Sequence, residues 1–182
     1  MDPEAQPAQR LSPEVEAALA EEAARKSAVL WVALPGTPGP VAAWHVWVDG
    51  AIAVVHEGDE QKLPGLRATG QVEITLRSKD KGGLLLRVPA RVVGLGPGDN
   101  RLAAAVAALH AARQSAPDGE AQPGRWAATS LVTRLEPGGP AVEAPGAYLP
   151  ADRRAVAVPT SATTLDRRPL VLGRRSRRRP AL

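Results

Sequence analysis

Four side chains near the middle of the chain are of the types that grip an anion: Lys62, Arg77, Ser78 and Lys79. A guanidinium fork, an ammonium and a hydroxyl all donate to phosphate oxygens. Trp44, His45 and Trp47 precede them and Trp126 follows, and in 182 residues with four Trp, one Tyr and no Phe these are the main flat surfaces for stacking a planar ring. Both sets have plainer uses. A solvated turn accounts for RSKDKGG as well as an anion grip does, and tryptophans more often fill cores than hold ligands.

Other chemistries find no foothold. Cys is absent, which removes disulfides, thiolate metal sites and cysteine nucleophiles. His45 and His56 are expected on one face of a hairpin as diagonal neighbours, about 7 to 8 Å apart, a pair that could share a metal or ligate haem. No third ligand of suitable type and spacing accompanies them, because His110 falls on a distant helix, so no metal site is expected. No HExxH, GxSxG, Walker loop or GxGxxG fingerprint occurs, and GLGPGDN lacks the strand and helix a dinucleotide loop needs. No residue is assigned as a catalytic acid, base or nucleophile.

The elements that must position these groups follow from periodicity. Asp49-Gly50 between alternating apolar runs marks a type I′ hairpin over about 41–48 and 51–56. Its expected register sets Trp47 against Ile52, His45 against Val54 and Trp44 against Val55. Ser12-Pro13, early acids and late bases delimit a helix over 13–26. Ala28 to Leu34 reads as a buried strand, Gln71 to Arg77 as a half-exposed strand with Val72, Ile74 and Leu76 inward, and Leu84 to Leu95 as a long strand edged or bulged at Pro89. Asp99 or Asn100 caps a helix to about Gln114, and Trp126 to Leu135 reads as the last strand. The sum is α+β: a mainly antiparallel six-stranded barrel with two to three peripheral helices, closed so that few edges stay exposed.

Charge divides the chain. Residues 138–182 hold nine Arg against Glu143, Asp152 and Asp166, a net +6, which leaves −2 on residues 1–137. The expected layout is a flexible N-terminus over 1–11, one barrel domain over 12–137 and a disordered Pro/Gly/Arg-rich tail over 138–182. Nucleic-acid binding is then limited to weak attraction through the tail. No apolar run is long enough to cross a bilayer and the acidic start lacks signal-peptide features, so a cytoplasmic setting is expected.

The order of elements, with the phrases WVDG, EGDEQ, RSKD, RWA and RLEP, resembles the pyridoxamine 5′-phosphate oxidase-like split β-barrels, most of all small actinobacterial members, over about residues 12–137. The resemblance implies a homodimer that binds FMN, the deazaflavin F420 or, less often, haem between subunits and acts on a small-molecule substrate. Phosphate would meet Lys62, Arg77, Ser78 and Lys79, while Trp44, His45, Trp47 and Trp126 flank the ring system. Where oxidase members place an Arg in the third strand, Ala51 to His56 has none, and GDEQKLPGL replaces the commoner Ser and Lys spacing. That departure supplies the alternative, a cofactor-free dimeric binding or scaffold module.

Overall fold

The computed structural model describes residues 10–149 apart from Gln114. Most of the expected tail, residues 150–182, and most of the expected N-terminal arm lie outside the described residues. Helix α1 (Pro13–Lys26) begins where expected: Ser12 Oγ accepts from the Val15 N–H at 3.5 Å and Pro13 fills the first turn. Glu21 and Glu22 pair with Arg25 and Lys26 one turn on.

Seven strands follow: β1 (Val29–Ala33), β2 (Val41–Trp44), β3 (Val46–Val48), β4 (Ala51–His56), β5 (Gln71–Arg77), β6 (Leu84–Leu95) and β7 (Leu131–Pro137). They form one antiparallel sheet in the order β2-β1-β5-β6-β7-β4-β3. The two ends of that order, β2 and β3, are separated in sequence only by His45. The expected strand over 41–48 is therefore present but broken, which is why seven strands appear where six were expected. It hands over from β1 to β4 at the break, and the sheet closes into a split barrel.

Asp49 and Gly50 take positive φ of 49° and 74°, as a type I′ turn requires. Trp47 pairs with Ile52 and Val48 with Ala51, the expected register. Val46 still pairs with Ala53, and one residue before it the register fails. His45 has left the β4 ladder and donates its N–H to Ala28 O at 3.1 Å, and Trp44 pairs with Val29 rather than Val55. The histidines are consequently not diagonal neighbours in a hairpin.

The barrel interior holds Leu30, Val32, Ile52, Val54, Ile74, Leu76, Leu86 and Leu135, and the small residues Ala20, Ala23 and Ala24 let α1 pack closely against it. Outside, α2 (Leu102–Ala112) and α3 (Gln122–Thr129) cover a second cluster of Ala53, Val55, Leu95, Leu109, Trp126 and Val132. Strand β4 is thus buried on both faces, which explains its unbroken apolar run. Pro89 pairs with Glu73 of β5 and stands just before β7 joins the other side of β6 at Ala90, so its missing N–H breaks no ladder there.

Three expectations need correcting. Residues 122–129 are helical and the last strand begins at Leu131: Pro123 suits a first helical turn, and Gln122 and Trp126, four apart, bury one helical face. Helix α2 begins at Leu102, since Asp99 Oδ1 accepts from the Arg101 N–H at 2.9 Å and so closes a turn ahead of the helix rather than capping it. Packing also continues past 137. Glu143 bridges to Arg87 on the edge of β6 that β7 leaves open, and Ala144 is buried in the core.

Candidate functional site

On the outer face of β2, β1 and β5, alternation brings Trp44, Val29, Trp31, Thr75 and Arg77 to one side. Val29 pairs with Trp44, and Trp31 pairs with both Ala42 and Thr75. Each end of this strip carries an arginine over an indole. The Arg77 guanidinium sits 4.6 Å from the Trp31 ring centroid, and that of Arg113, just beyond α2, sits 5.0 Å from Trp44. Trp44 also meets Trp126 at 6.5 Å, tilted by 42°. Val29, Trp44, Arg113 and Ser115 help to line a cavity of about 330 Å³ beside this end. Arg113 is fixed there, donating from Nε to Ser115 O at 2.9 Å and pairing with Glu60 at 2.6 Å.

The predicted residues divide. Arg77, Ser78 and Lys79 stand together where β5 turns toward β6. The Ser78 N–H donates to Gly83 O at 2.9 Å, its carbonyl accepts from Gly82 at 2.8 Å and its Oγ accepts from Lys81 at 3.3 Å, so the hairpin is held by Ser78 while the two basic side chains stay exposed. Lys62 is elsewhere, bonded to Gly58 O within its own loop. Trp44 is on the strip, whereas Trp47 packs against the barrel core with a buried Nε1 that has no acceptor among the described residues. Trp126 is 1% exposed and donates to Glu60, so it backs Trp44 rather than facing a ligand.

His45 is buried, and burial pushes its pKa down to about 4 against the opposing pull of the Ala24 and Ala43 backbone. It is neutral at neutral pH. A carbonyl only accepts, so Nε2 carries the proton and donates to Ala24 O at 3.0 Å. His56 is likewise lowered, first by burial, with its Nε2 3.0 Å from Thr133 Oγ1.

Residues to which the sequence assigned no role, Glu60 and Gln61 being read only as a polar rim beside Lys62, organise the site. Gln61 stitches the break in the barrel: Oε1 accepts from the Trp44 N–H at 2.8 Å, and Nε2 donates to Trp44 O at 2.9 Å and Val55 O at 3.0 Å. Glu60 gathers Arg113, Arg125, Gln122 and Trp126. Trp31 was concealed inside an apolar run, although its two-residue spacing from Val29 and Ala33 marks an outward face. Arg113 carried no local signal, because the side chains it meets, Glu60 and Trp44, are far away in sequence.

The donor set fits a planar anionic group along the strip, with Arg77 and Lys79 beside Trp31 at one end and Arg113 beside Trp44 at the other. It does not fit haem held by histidine, because every histidine Nε2 in the chain is engaged internally, that of His110 lying 3.0 Å from Gly119 O. Among the described residues no cluster of three His, Asp or Glu could hold a metal ion, and no helix is long and apolar enough to cross a membrane.

No family model and no curated protein matches this sequence. Solved structures do. HutZ, the haem storage protein from Vibrio cholerae, is 17% identical over 73% of this chain and 94% of its own, with a TM-score of 0.50. A FAD-binding protein from Mesorhizobium loti is 15% identical over 73% of this chain and 93% of its own, with a TM-score of 0.48, and an F420 reductase 16% identical over 65% and 93%, with a TM-score of 0.42. The closure of the sheet through the broken β2-β3 strand and the likeness to the Vibrio cholerae protein together identify the fold as the pyridoxamine 5′-phosphate oxidase-like split β-barrel.

Proposed function

We propose that the chain binds a flavin-type cofactor, FMN or F420, along the outer strip of β2, β1 and β5, and serves redox chemistry on a small apolar molecule. The observation that carries this reading is the strip itself: two tryptophans on adjacent strands, each under an arginine, with Trp31 beyond the reach of α2 and α3 and Trp44 half-buried at their edge. Such a surface suits a flat ring, and Arg77 and Lys79 suit its phosphate. When bound, the cofactor would supply the hydride transfer; the chain would orient it and balance its charge. A second copy of the chain is the natural cover for the strip, because a cofactor lying on an open sheet face would stay largely in water. The haem role of the Vibrio cholerae protein is not carried over, for want of a free histidine Nε2.

A second reading, a cofactor-free dimeric binding or scaffold module, is favoured by Glu60. Its carboxylate takes up donors beside the loop where the resemblance places a phosphate contact, so that loop is satisfied without one. Fluorescence titration with FMN and with F420 separates the two. The first reading expects saturable binding at micromolar cofactor and about a tenfold loss for Arg77→Ala/Lys79→Ala, the scale of one lost charge-assisted contact. No binding to the wild-type chain overturns it in favour of the second.

A further inference from the structure

The loop after β4 sends one carboxylate into a set of converging donors. Glu60 has a side chain 1% exposed. Its Oε1 accepts from Trp126 Nε1 at 2.8 Å, Arg125 Nη2 at 2.9 Å and Gln122 Nε2 at 3.1 Å. Its Oε2 meets Arg113 Nη1 at 2.6 Å, an ion pair off the line of a good hydrogen bond. Two guanidiniums, an indole and an amide converging on two oxygens are the donor set of an oxyanion site, needing no property peculiar to glutamate.

The carboxylate arrives on a loop of unusual backbone. Glu57 and Gly58 both take positive φ, 65° and 57°. A Cβ on Gly58 would stand 2.6 Å from Thr129 O, so the loop presses on the end of α3 and only glycine allows that approach. The donors come from a different part of the chain. Arg125 has further acids in Asp118 and Asp59, the latter at 3.4 Å, whereas Arg113 has Glu60 alone among the described residues. Removing the Glu60 side chain therefore leaves Arg113 without a counter-ion and the Trp126 N–H without an acceptor.

We propose that these four donors form a site for small oxyanions, carboxylate or phosphate, whose resident ligand is the chain's own Glu60. With that side chain in place the site is closed to external anions; with it shortened, the site takes one from solution. The proposal does not depend on the cofactor reading of the outer strip, although Arg113 belongs to both.

Chemical rescue tests it on the full chain. Glu60→Ala should lower the melting temperature by on the order of 5 to 10 °C, since buried donors lose their acceptor. Sodium formate should restore much of that loss along a saturable curve, sodium chloride at equal ionic strength should not, and the wild type should respond to neither beyond the common salt effect. If Glu60→Ala is unfolded in buffer, recovery of its circular dichroism by formate but not by chloride supports the proposal equally. Glu60→Gln keeps the bulk but turns an amide N–H₂ toward donors, so it should be destabilised and insensitive to formate. The proposal is overturned if formate acts on Glu60→Ala no more than chloride does, or if Glu60→Gln melts with the wild type.

Discussion

Gln61 does with a side chain what a strand would otherwise do with its backbone. At the break between β2 and β3 it supplies an acceptor to the Trp44 N–H and donors to Trp44 O and Val55 O. Gln61→Ala should cost roughly 2 to 4 kcal/mol in urea unfolding, because partly buried backbone groups are left unpaired. Gln61→Glu should cost nearly as much, since it keeps only the acceptor. His45, one residue beyond Trp44, gives the second prediction at this scale. Its folded pKa of about 4 lies below the ordinary 6.5, so the unfolded chain binds the extra proton first as pH falls. The stability is full above about pH 6.5 and is lost progressively toward pH 4, by roughly 3 kcal/mol for a difference of this size. His56 is shifted in the same direction and steepens the loss. Urea melts from pH 7.5 to 4.5 check it, and His45→Gln should flatten part of the slope. Trp44 and Arg77 were singled out from type alone, and both lie on the outer strip. Glu60, Gln61 and Arg113 were not, because a polar residue in a loop declares its purpose only through partners; for Glu60 the bonded residues Gln122, Arg125 and Trp126 come more than sixty positions later.

Among the elements, those with local signals were legible to the residue: α1 from its capped, charged ends, β5 from strict alternation, the hairpin turn from Asp49-Gly50. The break at His45 was not, since alternation runs unbroken through WHVWV and only the closure of the sheet decides where one strand changes partner. Residues 122–129 misled for a related reason. An apolar stretch around Trp126 suits strand or helix, and what tips it to helix is tertiary, the burial of Gln122 and Trp126 against Glu60 and the outer core. The join between that helix and the loop after β4 carries a prediction. Gly58→Ala would set a methyl 2.6 Å from Thr129 O at a φ of 57°. It should destabilise by more than about 2 kcal/mol, combining left-handed strain with a backbone clash. Gly65→Ala, at a φ of 73° with open space around its Cβ, isolates the strain alone and should cost only about 1 kcal/mol. Equal losses in thermal melts of the two variants would remove the argument from close approach.

At the scale of the molecule the two sides of the sheet are covered unequally. Helices α2 and α3 bury the outer face of β3, β4 and β7, and α1 packs against the interior, but β1 and β5 turn Val29, Trp31 and Arg77 outward. Val29 is 38% exposed, Trp31 is half-buried with Arg77 as its one stacking partner among the described residues, and the cavity beside Trp44 opens at the same edge. If a second copy covers this strip, as proposed, a charge at its centre should separate the two while leaving each barrel intact, since Trp31 faces away from the interior. Trp31→Glu is the variant of choice: the new carboxylate would be desolvated in a symmetric contact and would face its own counterpart or an apolar surface, at a cost of several kcal/mol. In the monomer it would sit in water beside Arg77, where an exposed pair adds or subtracts less than about 1 kcal/mol. Light scattering at micromolar concentration should therefore give a dimer mass for the wild type and a monomer mass for Trp31→Glu, with unchanged circular dichroism and a similar melting midpoint at high dilution. A wild-type chain that runs as a monomer throughout would remove the second copy and leave the strip open to solvent, where a flavin ring would gain little from stacking on one face; a dimer that survives Trp31→Glu would move the contact to another surface.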